Sequence, residues 1–266
     1  MRGLVVHSYR IHSHLDWQDT DQWLESDDVS IRLAWAGGRL VGVMGTSSPL
    51  HHTCWLRLAA VHDDVEPQPV LNSLWADLAY ELRALTVHTV ALLVLRDWIA
   101  RYAPELGFRY QEDIVTLRRA NLPPPDLEAT DLTIRATTPD DIETMTRIDQ
   151  AAFTPPWQLT ISELRQAERA SAICTVALRE NALLGYQLST LYFDGAHLAR
   201  LAVDPSAQGR GVGRALLIDL LQRLDRRSIH SATVNTQASN TRSQRLYAGF
   251  GFERNGYDLP VWFAKL

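Results

Sequence analysis

Apolar positions recur along this chain in two rhythms. Stripes spaced three and four residues apart read as helices, and alternating or continuous short apolar runs read as strands. Leu71, Leu74, Leu78 and Leu82, extended by Leu85, form one helical stripe; Leu217, Leu220, Leu221 and Leu224 form another. Residues 91–95, 132–135, 173–178, 183–192, 198–203 and 232–234 read as strands. The pair 173–178 and 183–192 makes a hairpin across Glu180-Asn181, and Asp194-Gly195 is a tight turn into 198–203. Thr138-Pro139-Asp140-Asp141 is a helix start, with Thr as cap, Pro in the first turn and acids near the positive helix end. That helix carries Ile142, Met145, Ile148 and Ala152 inward, and a second follows over 162–169. Ser239 or Asn240 caps a last short helix running to Ala248.

Residues 121–131 interrupt the pattern. Their three prolines cannot continue a helix or a central strand. They predict a linker between a domain at 1–120 and one at 132–266. The halves repeat each other. At an offset of 142, Val61 falls on Val203, Asp77 on Asp219, Leu78 on Leu220 and Leu82 on Leu224; Gly42 matches Gly185 and Gly107-Phe108 matches Gly251-Phe252 at nearly the same offset. We read an internal duplication of one α/β unit.

The copies differ most at one loop. In the second half, the strand and the turn Asp204-Pro205 lead into Gln208-Gly209-Arg210-Gly211-Val212-Gly213-Arg214-Ala215, which opens a helix. Three glycines clear side chains where the backbone must approach a ligand. Exposed N–H groups at a helix start, with Arg210 and Arg214 beside them, suit a pyrophosphate. In the first half, Gln208 to Gly213 face Glu66-Pro67-Gln68-Pro69-Val70-Leu71. Prolines there remove N–H donors, and Glu66, Asp63 and Asp64 add negative charge. The first copy is expected to keep the fold and to have lost the cofactor.

The Q-x-x-G-x-G pattern resembles the coenzyme A loop of the GNAT superfamily of acyltransferases. A second stretch, Asn240-x-x-Ser243-x-x-Leu246-Tyr247-x-x-x-Gly251-Phe252, is similar to that family's N-x-x-A-x-x-L-Y-x-x-x-G-F pattern, departing only at Ser243. The element order of the second half is that of the GNAT fold. The resemblance covers 132–266 well and 1–120 as a degenerate copy. It implies an α/β fold class: two tandem GNAT folds, each a mixed, mostly antiparallel sheet flanked by helices.

The resemblance also implies a chemistry, in which acetyl-CoA is donor and a primary amine, on a small molecule or a protein N-terminus, attacks directly in a ternary complex. Carried over by position, the backbone of Leu201, Ala202 and Val203 would bond the acetyl and pantetheine groups. The N–H groups of Gly209, Arg210, Gly211, Val212, Gly213 and Arg214, beside Gln208, would hold the pyrophosphate. Asn240 would bond the cofactor arm, and Tyr247 would protonate the departing thiolate. Phe153-x-Pro155-Pro156-Trp157 is similar to a segment of ribosomal-protein alanine N-acetyltransferases of the RimI type, which would set Trp157 beside the acceptor. Those enzymes place a glutamate base five residues before the motif asparagine. Here that residue is Asn235, which cannot take a proton. The base is left open among Glu163, Asp194, His197 and an amine arriving already neutral. A non-catalytic acyl-CoA sensor is the alternative.

Composition narrows the field further. The chain of 266 residues is 46% hydrophobic and carries a net charge of −5, which argues against a general nucleic-acid binder. It has no long uncharged apolar run and no secretory leader pattern, so a cytoplasmic protein is expected. The cysteines, Cys54 and Cys174, sit in apolar runs and read as buried thiols. Seven of nine histidines lie in the first half, at spacings that fit no common zinc pattern, and read as surface loop residues; no metal is expected. The duplication is expected to give a monomer that mimics a dimer internally, or a homodimer.

Overall fold

The computed structural model describes all residues except 1–3, 5–7, 16, 18–19, 26–28, 127–129 and 194. It divides into two compact units, Met1–Asp113 with Leu259–Leu266, and Ile114–Asp258. The first contains β1 (Ile11–Ser13), α1 (Thr20–Leu24), β2 (Ser30–Ala36), β3 (Arg39–Thr46), β4 (Thr53–Val61), α2 (Pro67–Ala84), β5 (Thr89–Leu93) and α3 (Asp97–Tyr102). β6 (Arg109–Ala120) leads into the second unit, which holds β7 (Thr133–Ala136), α4 (Ile142–Ala152), α5 (Ile161–Ala170), β8 (Ile173–Arg179), β9 (Ala182–Tyr192) and β10 (Gly195–Val203). It continues with α6 (Val212–Asp225), β11 (Ser231–Gln237), α7 (Thr241–Ala248) and β12 (Glu253–Arg254), before β13 (Leu259–Lys265) returns to the first unit.

The two units share one topology. In the first, β2, β3, β4 and β5 lie in order, antiparallel except that β4 and β5 run parallel. In the second, β7, β8, β9 and β10 are antiparallel, and β10 and β11 are parallel. Each fifth strand comes from beyond the expected domain limits. β13 pairs with β5, Val261 opposite Leu93, and β6 pairs with β11, Thr116 opposite Asn235. The compact units therefore exchange strands relative to a division at 120 and 132. Proline spacing marked the connection, but strand pairing, which it cannot report, decides which unit each strand joins.

Local sequence explains most elements. Thr138 and Asp141 form a capping box ahead of α4, and Thr160 and Glu163 form another on α5. α6 buries Leu216, Leu217, Leu220, Leu221 and Leu224 against the sheet; α2 buries Leu71, Leu74, Leu78 and Leu82. Leu85 departs from its predicted place, because α2 stops at Ala84 and leaves that leucine half exposed. Both helices start close to a hairpin glycine. A Cβ on Gly185 would come within 2.7 Å of the Ala202 carbonyl, and one on Gly42 within 2.5 Å of Val70. Gly213 is different: a Cβ there would meet Leu246, Leu201 and Val203 at 3.5–3.6 Å, ordinary contact, so packing does not demand this glycine.

Candidate active site

β10 and β11 are hydrogen-bonded only at Ala196, His197 and Leu198, opposite Ala232, Thr233 and Val234. Ala199 is then an extra residue against β9, since Leu198 faces Ser189 and Arg200 faces Leu188. This bulge turns the strand and ends its pairing with β11. Beyond it, Leu201, Ala202 and Val203 keep β9 on one edge, and no strand among the described residues takes the other. Their backbone groups on that edge are left to pair with something that is not sheet.

The loop continues from the open edge. Gly209 and Gly211 have φ of +78° and +83°, values that a side chain would strain, and Gly211 caps α6 in the left-handed region. The N–H groups of Gly209, Arg210, Gly211, Val212 and Gly213 meet no acceptor among the described residues. A Cβ on Gly211 would meet nothing within 4 Å. Five donors converge on open space at the positive end of a fourteen-residue helix, an arrangement that fits a pyrophosphate. Gln208 braces the loop: its Nε2 donates to the Val203 carbonyl at 3.1 Å, and its Oε1 accepts from Arg242. The Arg214 guanidinium lies over the Phe250 ring.

α7 brings in the second motif. Asn240 caps the helix, its Oδ1 accepting from the Ser243 N–H at 3.1 Å, which leaves its amide NH2 for a ligand. Tyr247 is buried, its ring 5.7 Å from that of Phe252, and its hydroxyl has no hydrogen-bond partner among the described residues. Burial pushes that hydroxyl's pKa well above the ordinary tyrosine value, so it keeps its proton at any ordinary assay pH.

The opposite face of the sheet carries a buried ionic cluster that the sequence reading missed. Arg200 sits beside the bulge, and its Nε and Nη2 donate to Asp149 of α4 at 2.7 and 2.8 Å. Its Nη2 also donates to the Trp157 carbonyl at 2.6 Å, and its guanidinium stacks 3.7 Å from the centre of the Phe153 ring. Asp149 accepts further bonds from the Tyr186 hydroxyl at 2.6 Å and the Leu159 N–H at 2.8 Å. Burial, then the Asp149 charge, pushes the Tyr186 hydroxyl well up. The cluster ties the segment from Phe153 to Leu159, including Trp157, to the strand bearing the open edge. The signals were an arginine inside the apolar run 198–203 and an aspartate next to Ile148 on the inward stripe.

The base candidates separate. Glu163 is held in its capping box, accepting from the N–H and hydroxyl of Thr160, which suits a helix cap rather than a base. Asp194 lies outside the described residues. His197 shares a face with Thr233, whose Oγ1 lies 2.9 Å from its Nδ1. Burial lowers the pKa of His197, so its imidazole is neutral near pH 7 and able to accept a proton. Asn235 is exposed on β11, two residues from Thr233. Burial raises the thiol pKa of Cys54 to about 12 and of Cys174 to about 11, leaving neither a thiolate nucleophile. No group of three or more metal-ligating side chains is gathered among the described residues, and no helix among them is long and apolar enough to cross a membrane.

Residues 142–252 match the Acetyltransferase (GNAT) family. Escherichia coli K12 has a relative, the [Ribosomal protein bS18]-alanine N-acetyltransferase, 31% identical over 121 residues, covering 45% of this chain and 80% of its own. The mycothiol acetyltransferase of Mycobacterium ulcerans is 34% identical over 194 residues, 61% of this chain and 60% of that one. Among solved structures, a tandem GNAT protein from the clavulanic acid biosynthesis pathway superposes with a TM-score of 0.61 at 19% identity, over 90% of this chain and 84% of the other. The chain belongs to the GNAT acetyltransferase family. It is an N-acetyltransferase with the tandem GNAT fold.

Proposed function

We propose that the second unit moves an acetyl group from acetyl-CoA to a primary amine, by direct attack while both are bound. The observation that carries this is the set of backbone N–H groups left outside the sheet, from Leu201 and Val203 on the open edge to Gly209 through Gly213 in the loop. Acetyl-CoA supplies an acetyl thioester, already activated toward nitrogen. The open edge would align its amide-bearing arm, the loop would hold its pyrophosphate, and the Asn240 NH2 would fix the arm from α7. Tyr247, protonated throughout, would give its proton to the departing sulfur, a role worth about 10²–10⁴ in rate. His197, neutral near pH 7, would take the proton that the amine loses, as Asn235 cannot. Trp157 and Phe153, held by Arg200, would border the acceptor.

The first copy is a degenerate domain without a cofactor loop. The acceptor is a small-molecule amine or a peptide N-terminus; relatives are named for acetylating a ribosomal-protein alanine and for mycothiol. The test is thiol release from acetyl-CoA with a panel of small amines and peptides, one of them beginning with alanine. Acetyl transfer to any of them, lost in Tyr247→Phe with cofactor affinity kept, supports the reading. Tight acetyl-CoA binding with no transfer across the panel would favour the sensor.

A further inference from the structure

Both units contain the same splayed pair of parallel strands, but the two splays are filled differently. β4 has two edges. One pairs with β3 from Leu56 to Val61; the other pairs with β5 only at Thr53, Cys54 and Trp55. Past a bulge at Arg57, where the register against β3 shifts, β1 takes the place of β5. Ile11 lies opposite Ala60, His12 opposite Ala59 and Ser13 opposite Leu58, all antiparallel. The Val61 N–H donates to the Arg10 carbonyl at 3.0 Å and the His14 N–H to the Arg57 carbonyl at 2.8 Å. Antiparallel ladders alternate bonded and non-bonded pairs, so His12 and Ala59 form the bonded pair between them. Trp98 Nε1 donates to the Ile11 carbonyl at 2.7 Å and clamps the strand from α3. At the repeat offset, Ala59, Ala60 and Val61 fall on Leu201, Ala202 and Val203, the open edge of the second unit.

We infer that residues 10–14 are a built-in occupant of the first unit's acyl-carrier groove, holding along β4 the place that a pantetheine arm takes along β10. The inference rests on the reading of the second unit given above. The chemistry is shared. A pantetheine arm is an extended chain with two amides, and a peptide strand offers the same N–H and C=O groups along the same edge. Being tethered, it competes with any free cofactor at high effective concentration. The rest of the groove agrees. α2 begins at Pro67, with Pro69 behind it, so two donors of the phosphate loop are gone. Its cap, Glu66, makes no side-chain hydrogen bond. His12, expected at the surface, is fully buried within the splay. Its ring nitrogens have no partner among the described residues, the Leu56 backbone lying outside bonding geometry. The first unit is thus a copy of the fold whose binding edge is satisfied by its own chain.

Hydrogen exchange on the whole protein, with and without saturating coenzyme A, tests this. Free protein should show slow exchange at the Ala59 and Val61 amides, changed less than about twofold by coenzyme A. The Leu201 and Val203 amides should exchange rapidly in the free protein and slow at least tenfold on binding. Trp98→Phe, which removes the indole bond to Ile11 and part of the ring's packing, should speed exchange at Ala59 and Val61 severalfold and leave coenzyme A affinity unchanged. Rapid exchange at Ala59 and Val61 in the free protein, or slowing there by coenzyme A, would overturn the inference. If coenzyme A slowed neither segment, the proposed function would fail, while slow exchange at Ala59 and Val61 without ligand would still establish that the edge is occupied.

Discussion

Replacing Arg200 with leucine should destabilise the protein severely, through a cause that can be worked out bond by bond. The guanidinium side chain is 13% exposed and its partner Asp149 is fully buried. The substitution deletes two charge-assisted bonds to Asp149, one bond to the Trp157 carbonyl and the stacking on Phe153. Asp149 would keep only the Tyr186 hydroxyl and the Leu159 N–H, too little to solvate a buried carboxylate. Breaking a buried pair from one side costs about 3–5 kcal/mol. At about 2–4 °C per kcal/mol for a protein of this size, the melting temperature should fall by about 6–20 °C. Thermal denaturation measures this directly. Arg200→Lys should recover part of the loss, since it keeps the charge but cannot span both carboxylate oxygens and the carbonyl. Asp149→Leu combined with Arg200→Leu should be more stable than Arg200→Leu alone, because no buried charge is stranded. An Arg200→Leu protein within about 1 kcal/mol of wild type would refute the reasoning and demote the pair to a surface contact.

Three other outcomes follow from single residues. Tyr247→Phe should lower kcat by about 10²–10⁴ and leave acetyl-CoA affinity and stability nearly unchanged, since its hydroxyl has no partner to strand among the described residues; calorimetric binding and turnover together check it. Gly213→Ala should fold with undiminished stability, because its methyl meets only ordinary contacts and alanine favours a helix by up to about 1 kcal/mol. That methyl points among the Leu201, Val203 and Leu246 side chains and the Gly213 N–H is kept, so coenzyme A affinity should change less than about threefold, about 0.7 kcal/mol; a tenfold loss would contradict that placement. His12 has its pKa lowered to about 4 by burial, and by His14 and Arg57, against 6.5 when unfolded. The unfolded chain therefore binds the extra proton between those values, and stability falls as pH drops from 6.5 towards 4, by about 3 kcal/mol from this residue. Urea titrations across that range should show a shallower fall in His12→Leu.

Much of the second unit is written in local pattern. The capping boxes at Thr138 and Thr160, the leucine stripe of α6, the glycine loop and the Asn240 cap all act through residues within four positions of one another. Such features are readable because sequence neighbours are spatial neighbours. The Arg200–Asp149–Tyr186 cluster joins three separate elements, and its traces were single charges, Arg200 in an apolar run and Asp149 on an inward stripe. The exchange of β6 and β13 was hidden for the same reason. Both strands look like ordinary continuations of their own halves, and only pairing with β11 and β5 assigns them. His12 misled because a lone histidine in a polar stretch looks like surface. Its burial depends on β4 having a vacant edge, which the bulge at Arg57 creates.

The central claim is that one of two similar units has an open cofactor edge and the other has a filled one. Calorimetric titration of acetyl-CoA into the whole chain tests it most directly. The account predicts one site per chain, abolished by a bulky residue at Gly211 and untouched by substitution at Glu66. Two equivalent sites, or none in folded protein, would contradict it.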